Sequence, residues 1–304
     1  MDVILDVPTN LGLKPPAEGC VPGADKAPAA LRSAGLHAAL RSQGWQEAGV
    51  VLAGRYEATR VAGTVRNQRA IVEHARRLAR AVGEQLDAGR RPLVLGGDCS
   101  TLVGCSLALR ERGRYGLVHI DGHTDFRHPG NSDGVANLAG EDLAAAVGLH
   151  LPEISDIDRR SPYVRPEEVA HIGCREDDAH LAECRSVLGQ TVTASEWSQD
   201  PAAAGEAVLR PATRPGLEGF WVHVDVDVLD PSWMPAVDSP DPGGVGPEEL
   251  VDLLKRLWPR CTGMTVGILD PDLDPSGDCA RLVADIILRA TGTAPSRVTG
   301  APAS

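Results

Sequence analysis

The sequence predicts an α/β fold, a three-layer α/β/α sandwich around a central, mainly parallel sheet. Three observations lead there: short, continuous apolar runs, amphipathic stretches that alternate with them, and polar clusters rich in Asp, Gly and His directly after the apolar runs. Strands that are apolar throughout and separated by helices belong to a parallel sheet covered on both faces. In such a sheet ligands bind beyond the carboxyl ends of the strands, so the polar clusters are where function is sought.

Taken in order, Val3-Ile4-Leu5-Asp6-Val7 reads as a short buried strand ended by Pro8, followed by a loop punctuated by Gly and Pro through Pro28. Residues 29–42 form a helix by apolar spacing, and residues 66–88 form a strongly charged amphipathic helix closed by Gly89. Strand 92–95, helix 101–112 and strand 115–120 repeat the rhythm, and a polar loop runs from Gly122 to about Gly134. Later strands are expected at 169–172, 220–224 and 264–269, with helices at 247–257 and 280–290. No repeat or linker divides the chain, so residues 1–292 are expected to be a single domain and residues 293–304 a flexible tail.

Composition narrows the function classes. With 42% hydrophobic and 24% charged residues the chain is built like an ordinary globular protein. A net charge of −12 argues against nucleic acid or an anionic membrane as partner, since either needs a basic face. No apolar run approaches the roughly 20 residues of a membrane span, and the N-terminus lacks a secretory pattern, so a cytoplasmic location is expected. The seven cysteines are scattered without a Cys-x-x-Cys pair, which makes a disulfide framework improbable.

Three clusters carry the chemistry: Gly96-Gly97-Asp98-Cys99-Ser100, Asp121-Gly122-His123-Thr124-Asp125, and His223-Val224-Asp225-Val226-Asp227-Val228-Leu229-Asp230-Pro231. Asp121, His123 and Asp125 occupy alternate positions, as do Asp225 and Asp227, so each set can project to one side of an extended chain. Carboxylates converging on one point repel one another unless a cation compensates. Four of them with one imidazole favour Mn²⁺, in a number sufficient for two ions, and a water held between two such ions becomes a hydroxide nucleophile. Hydrolysis is the reaction class. A turn stabilised by Asx caps is the bland alternative for any one cluster, but not for three together.

In these motifs the chain resembles the arginase/agmatinase (ureohydrolase) family, whose members carry Gly-Gly-Asp-His-Ser, Asp-x-His-x-Asp and Ser-x-Asp-x-Asp-x-x-Asp-Pro in this order. The segments 23–32 and 238–244 are also similar to family segments, and the resemblance covers nearly the whole chain. It implies an arginase-like fold, two Mn²⁺ ions, a small guanidino or amidino substrate and a homo-oligomer, a trimer or hexamer. It further implies that Asp121 and Asp225 bridge the ions, that Asp125 binds one ion and holds the attacking hydroxide as the catalytic residue, and that His123 and Asp227 complete the second ion's shell.

Departures from the family pattern bear on the substrate. Cys99 stands where the family has a histidine ligand of the first ion, and a thiolate there shifts preference toward Zn²⁺ or Fe²⁺. Asn137-Leu138-Ala139-Gly140 lacks the proton-shuttling histidine of Asn-Leu-His-Gly, and the family's guanidinium-pairing glutamate falls near uncharged Ile268, with Asp270 and Asp272 the nearest acidic substitutes. His223 replaces a serine and is read either as a support behind the ligands or as a buried polar residue. Glu176 and Asp178 match a family segment that contacts substrate, although an acidic helix N-terminus is an alternative reading.

The expected function is therefore a ureohydrolase-like metallohydrolase of C–N bonds in a guanidino or amidino compound, an N-substituted or N-hydroxylated guanidine in specialised metabolism being one such substrate. The alternatives are a metal- or ligand-binding descendant with little turnover and, as a minor one, a deacetylase-like amidohydrolase on the same sheet architecture.

Overall fold

The computed structural model of the protein describes residues 1–292; the tail expected at 293–304 lies outside the described residues. The strands are β1 (Asp2–Val7), β2 (Gln46–Val50), β3 (Arg91–Gly96), β4 (Tyr115–Ile120), β5 (Val169–Cys174), β6 (Gln190–Thr193), β7 (Gly219–Asp225) and β8 (Gly263–Gly267). They form one sheet in the order β2-β1-β3-β8-β7-β4-β5-β6, and every neighbouring pair is parallel. Helices cover both faces, as parallel crossovers require.

Alternation along each strand divides the core in two. Leu93, Leu95, Val118, Ile120, Val222, Val224, Met264 and Val266 face one layer, with helices Ala27–Ser33, Pro201–Ala212, Pro247–Leu257 and Asp278–Ala290. Val94, Leu117, Val169 and Trp221 face the other, under helices Gln68–Asp87, Thr101–Arg110 and Asp142–Ala146. His119, His223 and Asp225 share the parity of Leu117 and Trp221, so the polar positions project toward this second layer.

Two expectations are corrected. The helix expected over 29–42 is two helices, Ala27–Ser33 and Leu36–Ser42, because Gly35 takes a left-handed φ of 90° between them. The strand expected to run to Leu269 ends at Gly267, because Ile268 turns to φ 73°. Edge strands β2 and β6 carried no apolar signal: the first is Gln-Glu-Ala-Gly-Val and mostly exposed, the second only four residues long.

Close backbone approach fixes the floor under the motifs. A Cβ on Gly97 would stand 1.7 Å from the Thr9 carbonyl oxygen, so only glycine lets the loop after β3 lie against the loop after β1. Gly267 ends β8 between the two halves of the sheet, where a Cβ would meet the Gly97 carbonyl oxygen at 2.9 Å.

Candidate metal centre

Because β3, β8, β7 and β4 are consecutive in the sheet, the loops after β3 and β4 and the end of β7 meet over one spot. Cys99, Asp121, Asp125, Asp225 and Asp227 are all buried there, and His123 is half-buried at the rim. One ligand atom each from Cys99, Asp121 and Asp225 lies within 4.8 Å of the others, and the same holds for Asp121, His123 and Asp227. Five of the six residues expected as ligands thus come together in two adjoining groups that share Asp121, and Asp125 groups instead with His119 and Asp142 beside them.

The internal bonds show how charge is balanced. Cys99 Sγ donates to Asp225 Oδ2 at 2.9 Å, and the Asp227 N–H donates to Asp225 Oδ1 at 2.7 Å. Asp227 accepts from the Gly122 N–H at 3.0 Å and from His123 Nδ1 at 2.8 Å, while His123 Nε2 donates to Asp241 Oδ2 at 3.0 Å. Burial alone would depress His123, but Asp227 and its neighbours overcome this and push it up to about 10. Burial raises Asp121, Asp125 and Asp225 well above the usual carboxylate range, reinforced by neighbouring carboxylates. Burial also works to raise Asp227, and the His123 contact outweighs it. Carboxylates packed this closely need a counter-charge, and the Oδ2 of buried Asp121 has no hydrogen-bond partner. The donor set fits divalent ions.

Asp125 sits at φ 47°, a left-handed conformation uncommon outside glycine and a form of strain found at functional sites. It lines a cleft of about 350 Å³ with His123, Ala139, Asp178, Asp238, Asp241 and Ile268. Asp238 stands at the exposed rim of the cleft, near Asp227. The acidic excess suits a cationic ligand.

The other expected residues have definite places. Asp178 lines the cleft, but its carboxylate accepts from Thr124 N–H and Oγ1 at 2.9 and 2.7 Å and from the His180 N–H at 2.8 Å, so it braces the loop carrying Asp125. Glu176 is exposed beside the cleft and does not line it. Asp270 and Asp272 turn away: Asp270 accepts from the Gly23 N–H at 3.0 Å and Asp272 pairs with Lys26 at 2.6 Å. Neither substitutes for a charge at Ile268. His223 is fully buried below Asp225, stacked on His119 with ring centroids 5.2 Å apart.

Four residues were missed. Arg175 is buried and donates to the carbonyls of Asp227 at 3.0 Å and Asp241 at 2.6 Å, tying the third motif to the segment around Asp241. Asp241 itself holds His123 from an exposed loop; it lies in the 238–244 segment that is similar to a family segment, but nothing there singled it out. His119 and Asp142 are buried against the carboxylate cluster, with His119 Nε2 3.7 Å from both Asp121 Oδ2 and Asp142 Oδ1. For His119 a signal existed, since it stands two residues before Asp121 just as His223 stands two before Asp225.

The arginase family model matches residues 3–292. This chain belongs to the arginase family. The arginase of Bacillus caldovelox is 30% identical over 231 residues, 73% of this chain and 76% of that one. The arginase of Brevibacillus brevis is 29% identical over 277 residues, 87% and 91% of the two chains. The solved structure of the Bacillus caldovelox arginase superposes with a TM-score of 0.85 at 28% identity, covering 96% of this chain and 98% of that one. Against these arginase-family relatives the sheet and its helices stand as an arginase fold.

Proposed function

We propose that this arginase-family protein is a metal-dependent hydrolase that cuts a C–N bond of a guanidino or amidino compound, with an N-substituted or N-hydroxylated guanidine as its substrate. The observation that carries this reading is the acidic cleft whose floor is the buried Asp121, Asp125, Asp225 and Asp227 cluster. Asp121 belongs to both donor groups, His123 and Asp227 complete one, and Asp225 and Cys99 complete the other. Divalent ions bound there, Mn²⁺ by family habit and Zn²⁺ or Fe²⁺ by the softness of Cys99, would supply Lewis-acid activation of water.

The chain's own groups then set selectivity. Asp238 and Asp241 on the cleft wall draw in a guanidinium by charge, and Asp125, fixed by its backbone conformation, presents a carboxylate that orients the attacking water and accepts its proton. Buried Ala139 offers a methyl group where a proton relay would stand, and buried Ile268 offers no counter-charge. An N-hydroxylated guanidine is less basic than an alkylguanidine, so it depends less on the counter-charge that Ile268 lacks. Water adds at its central carbon, the bond to the alkyl nitrogen breaks, the alkyl amine leaves with a proton from that water, and the hydroxylated nitrogen stays in the hydroxyurea released.

The experiment is to purify the chain, measure bound metal, and follow urea, hydroxyurea and ammonia release from arginine, agmatine, N-hydroxyarginine and an acylated amine with added Mn²⁺. Hydroxyurea release from the N-hydroxylated substrate in preference to urea from arginine is the expected result. Full metal loading with no product from any guanidine would leave a metal-binding descendant of the fold, which Ala139 and Ile268 also favour.

A further inference from the structure

Beneath the carboxylate cluster lies a second group of polar side chains in the layer between β4, β7 and helix Asp142–Ala146. Asp142, His119 and His223 are each 0% exposed. Nε2 of His119 and both ring nitrogens of His223 have no hydrogen-bond partner, and the Asp142 carboxyl has only the neighbouring Asp125 carboxyl against it. Buried polar atoms are rarely left so, because each costs on the order of 1–3 kcal/mol unless something satisfies it. Here these groups face one another: Asp142 Oδ2 is 3.7 Å from His223 Nε2, and Asp142 Oδ1 is 3.7 Å from His119 Nε2. Ligand atoms around a tetrahedral ion are spaced at about this distance when each sits about 2.0–2.3 Å from the metal.

Cys99 joins them. Its sulfur, one Asp142 oxygen and one His223 nitrogen lie within 4.8 Å of one another, all buried. The position expected to supply an imidazole carries the thiol instead, while an imidazole reaches the same place from β7, two strands away in the sheet and two residues before Asp225. His119 closes the far side and is itself held, its Nδ1 2.9 Å from Nδ1 of His171. A tautomer with the proton on His119 Nδ1 leaves Nε2 as a bare lone pair facing Asp142 and Asp121, so the support behind Asp142 also seeks a positive partner.

We propose that His223 and Asp142 are direct metal donors that, with Cys99, hold one divalent ion of the Zn²⁺ or Fe²⁺ class deeper in the sheet than an imidazole at position 99 would hold it. Thiolate, imidazole and carboxylate form a donor set of mixed softness that favours a borderline ion over Mn²⁺. Asp225, whose Oδ2 is 2.9 Å from the Cys99 sulfur, joins this ion to the rest of the cluster.

The inference deepens the metallohydrolase reading and rests on it only for the presence of divalent metal, so its test reads metal and not turnover. The full-length protein is purified, stripped with chelator and reloaded with Zn²⁺, with Mn²⁺, or with Co²⁺ as a spectroscopic probe. Wild type is expected to bind Zn²⁺ more tightly than Mn²⁺ and, with Co²⁺, to show a thiolate-to-metal charge-transfer band. His223→Ser and Asp142→Asn are each expected to lose roughly one ion per chain together with that band, while Asp227→Asn loses the other ion and keeps the band. Adding Cys99→His to His223→Ser is expected to return the lost ion without the band, and with a preference for Mn²⁺. Full metal content and an unchanged band in both His223→Ser and Asp142→Asn overturn the proposal. Should those variants not fold, anomalous diffraction from zinc-loaded wild type decides: a peak within bonding distance of His223 Nε2 and the Cys99 sulfur supports it, and zinc peaks confined to the aspartates and His123 refute it. Metal bound in this way by a protein inert toward every guanidine would leave this site standing and remove the hydrolase reading alone.

Discussion

Replacing Cys99 by serine or histidine should change how many protons the protein releases when it takes up metal. Burial raises the Cys99 thiol well above its ordinary range, and Asp225, Asp142, Asp121 and Asp125 raise it further, so the metal-free protein holds a neutral thiol bonded to Asp225. Only the thiolate binds an ion, so uptake must expel that proton. Each proton expelled makes the apparent association constant rise about tenfold per pH unit, about 1.4 kcal/mol, until the pH reaches the thiol's raised value. The carboxylates Asp121, Asp125 and Asp225 are raised as well and add to the count in both wild type and variant. The difference between wild type and Cys99→Ser therefore isolates the thiol: about one proton fewer per chain, and a slope of log K against pH lower by about one. Cys99→His gives the same difference if its imidazole enters neutral, at an overpacking cost of about 1–3 kcal/mol in a fully enclosed site. Calorimetric titration with Zn²⁺ in two buffers of different ionisation enthalpy, from pH 6 to 8.5 (roughly the range below the thiol's raised value), measures the count directly. Equal proton release from wild type and Cys99→Ser would refute the role of Cys99 as a ligand.

Arg175→Ala leaves buried carbonyls of Asp227 and Asp241 without their donor, so chemical denaturation should show a loss of about 3 kcal/mol; a change under about 0.5 kcal/mol would show that the guanidinium is dispensable. Gly97→Ala should not yield folded protein, because its Cβ would sit 1.7 Å from the Thr9 carbonyl oxygen, whereas Gly96→Ala, with its nearest contact at 3.4 Å, should express and show native circular dichroism. Asp6 is raised by burial, but hydrogen bonds from His37 and Arg32 outweigh this and lower it below 3.8. Its contribution is thus fully present above 3.8 and lost as pH falls through the lower folded value, so Asp6→Asn should flatten the acid limb of the stability profile below about pH 4, and an unchanged limb contradicts the coupling.

How much was legible depended on whether the signal was local. Continuous apolar runs such as Leu93-Val94-Leu95 declare a strand buried on both faces wherever the strand lies, so the central strands were readable. Edge strand β2, with exposed Gln46 and Glu47, forms because β1 offers it backbone partners, and no side-chain pattern records that. The helix read over 29–42 broke at Gly35, where the left-handed backbone redirects the chain at no steric cost. The ligand motifs were legible because each closes a strand and repeats at alternate positions. Arg175, Asp241 and Asp142 were not, since each reaches the cluster from a separate loop or helix.

By itself the sequence determined the α/β class, the three motif-bearing strand ends, and the identities of Cys99, Asp121, His123, Asp125, Asp225 and Asp227 as the residues to watch, because periodicity and motif spacing are properties of neighbouring residues. Tertiary structure alone decided that β3, β8, β7 and β4 are adjacent and that Asp178 is committed to a loop. It also decided that His119, His223 and Asp142 bury their polar atoms against Cys99 and Asp121. Strand order and side-chain burial arise from contacts between residues far apart in the chain. They exist only once the sheet has brought those residues together.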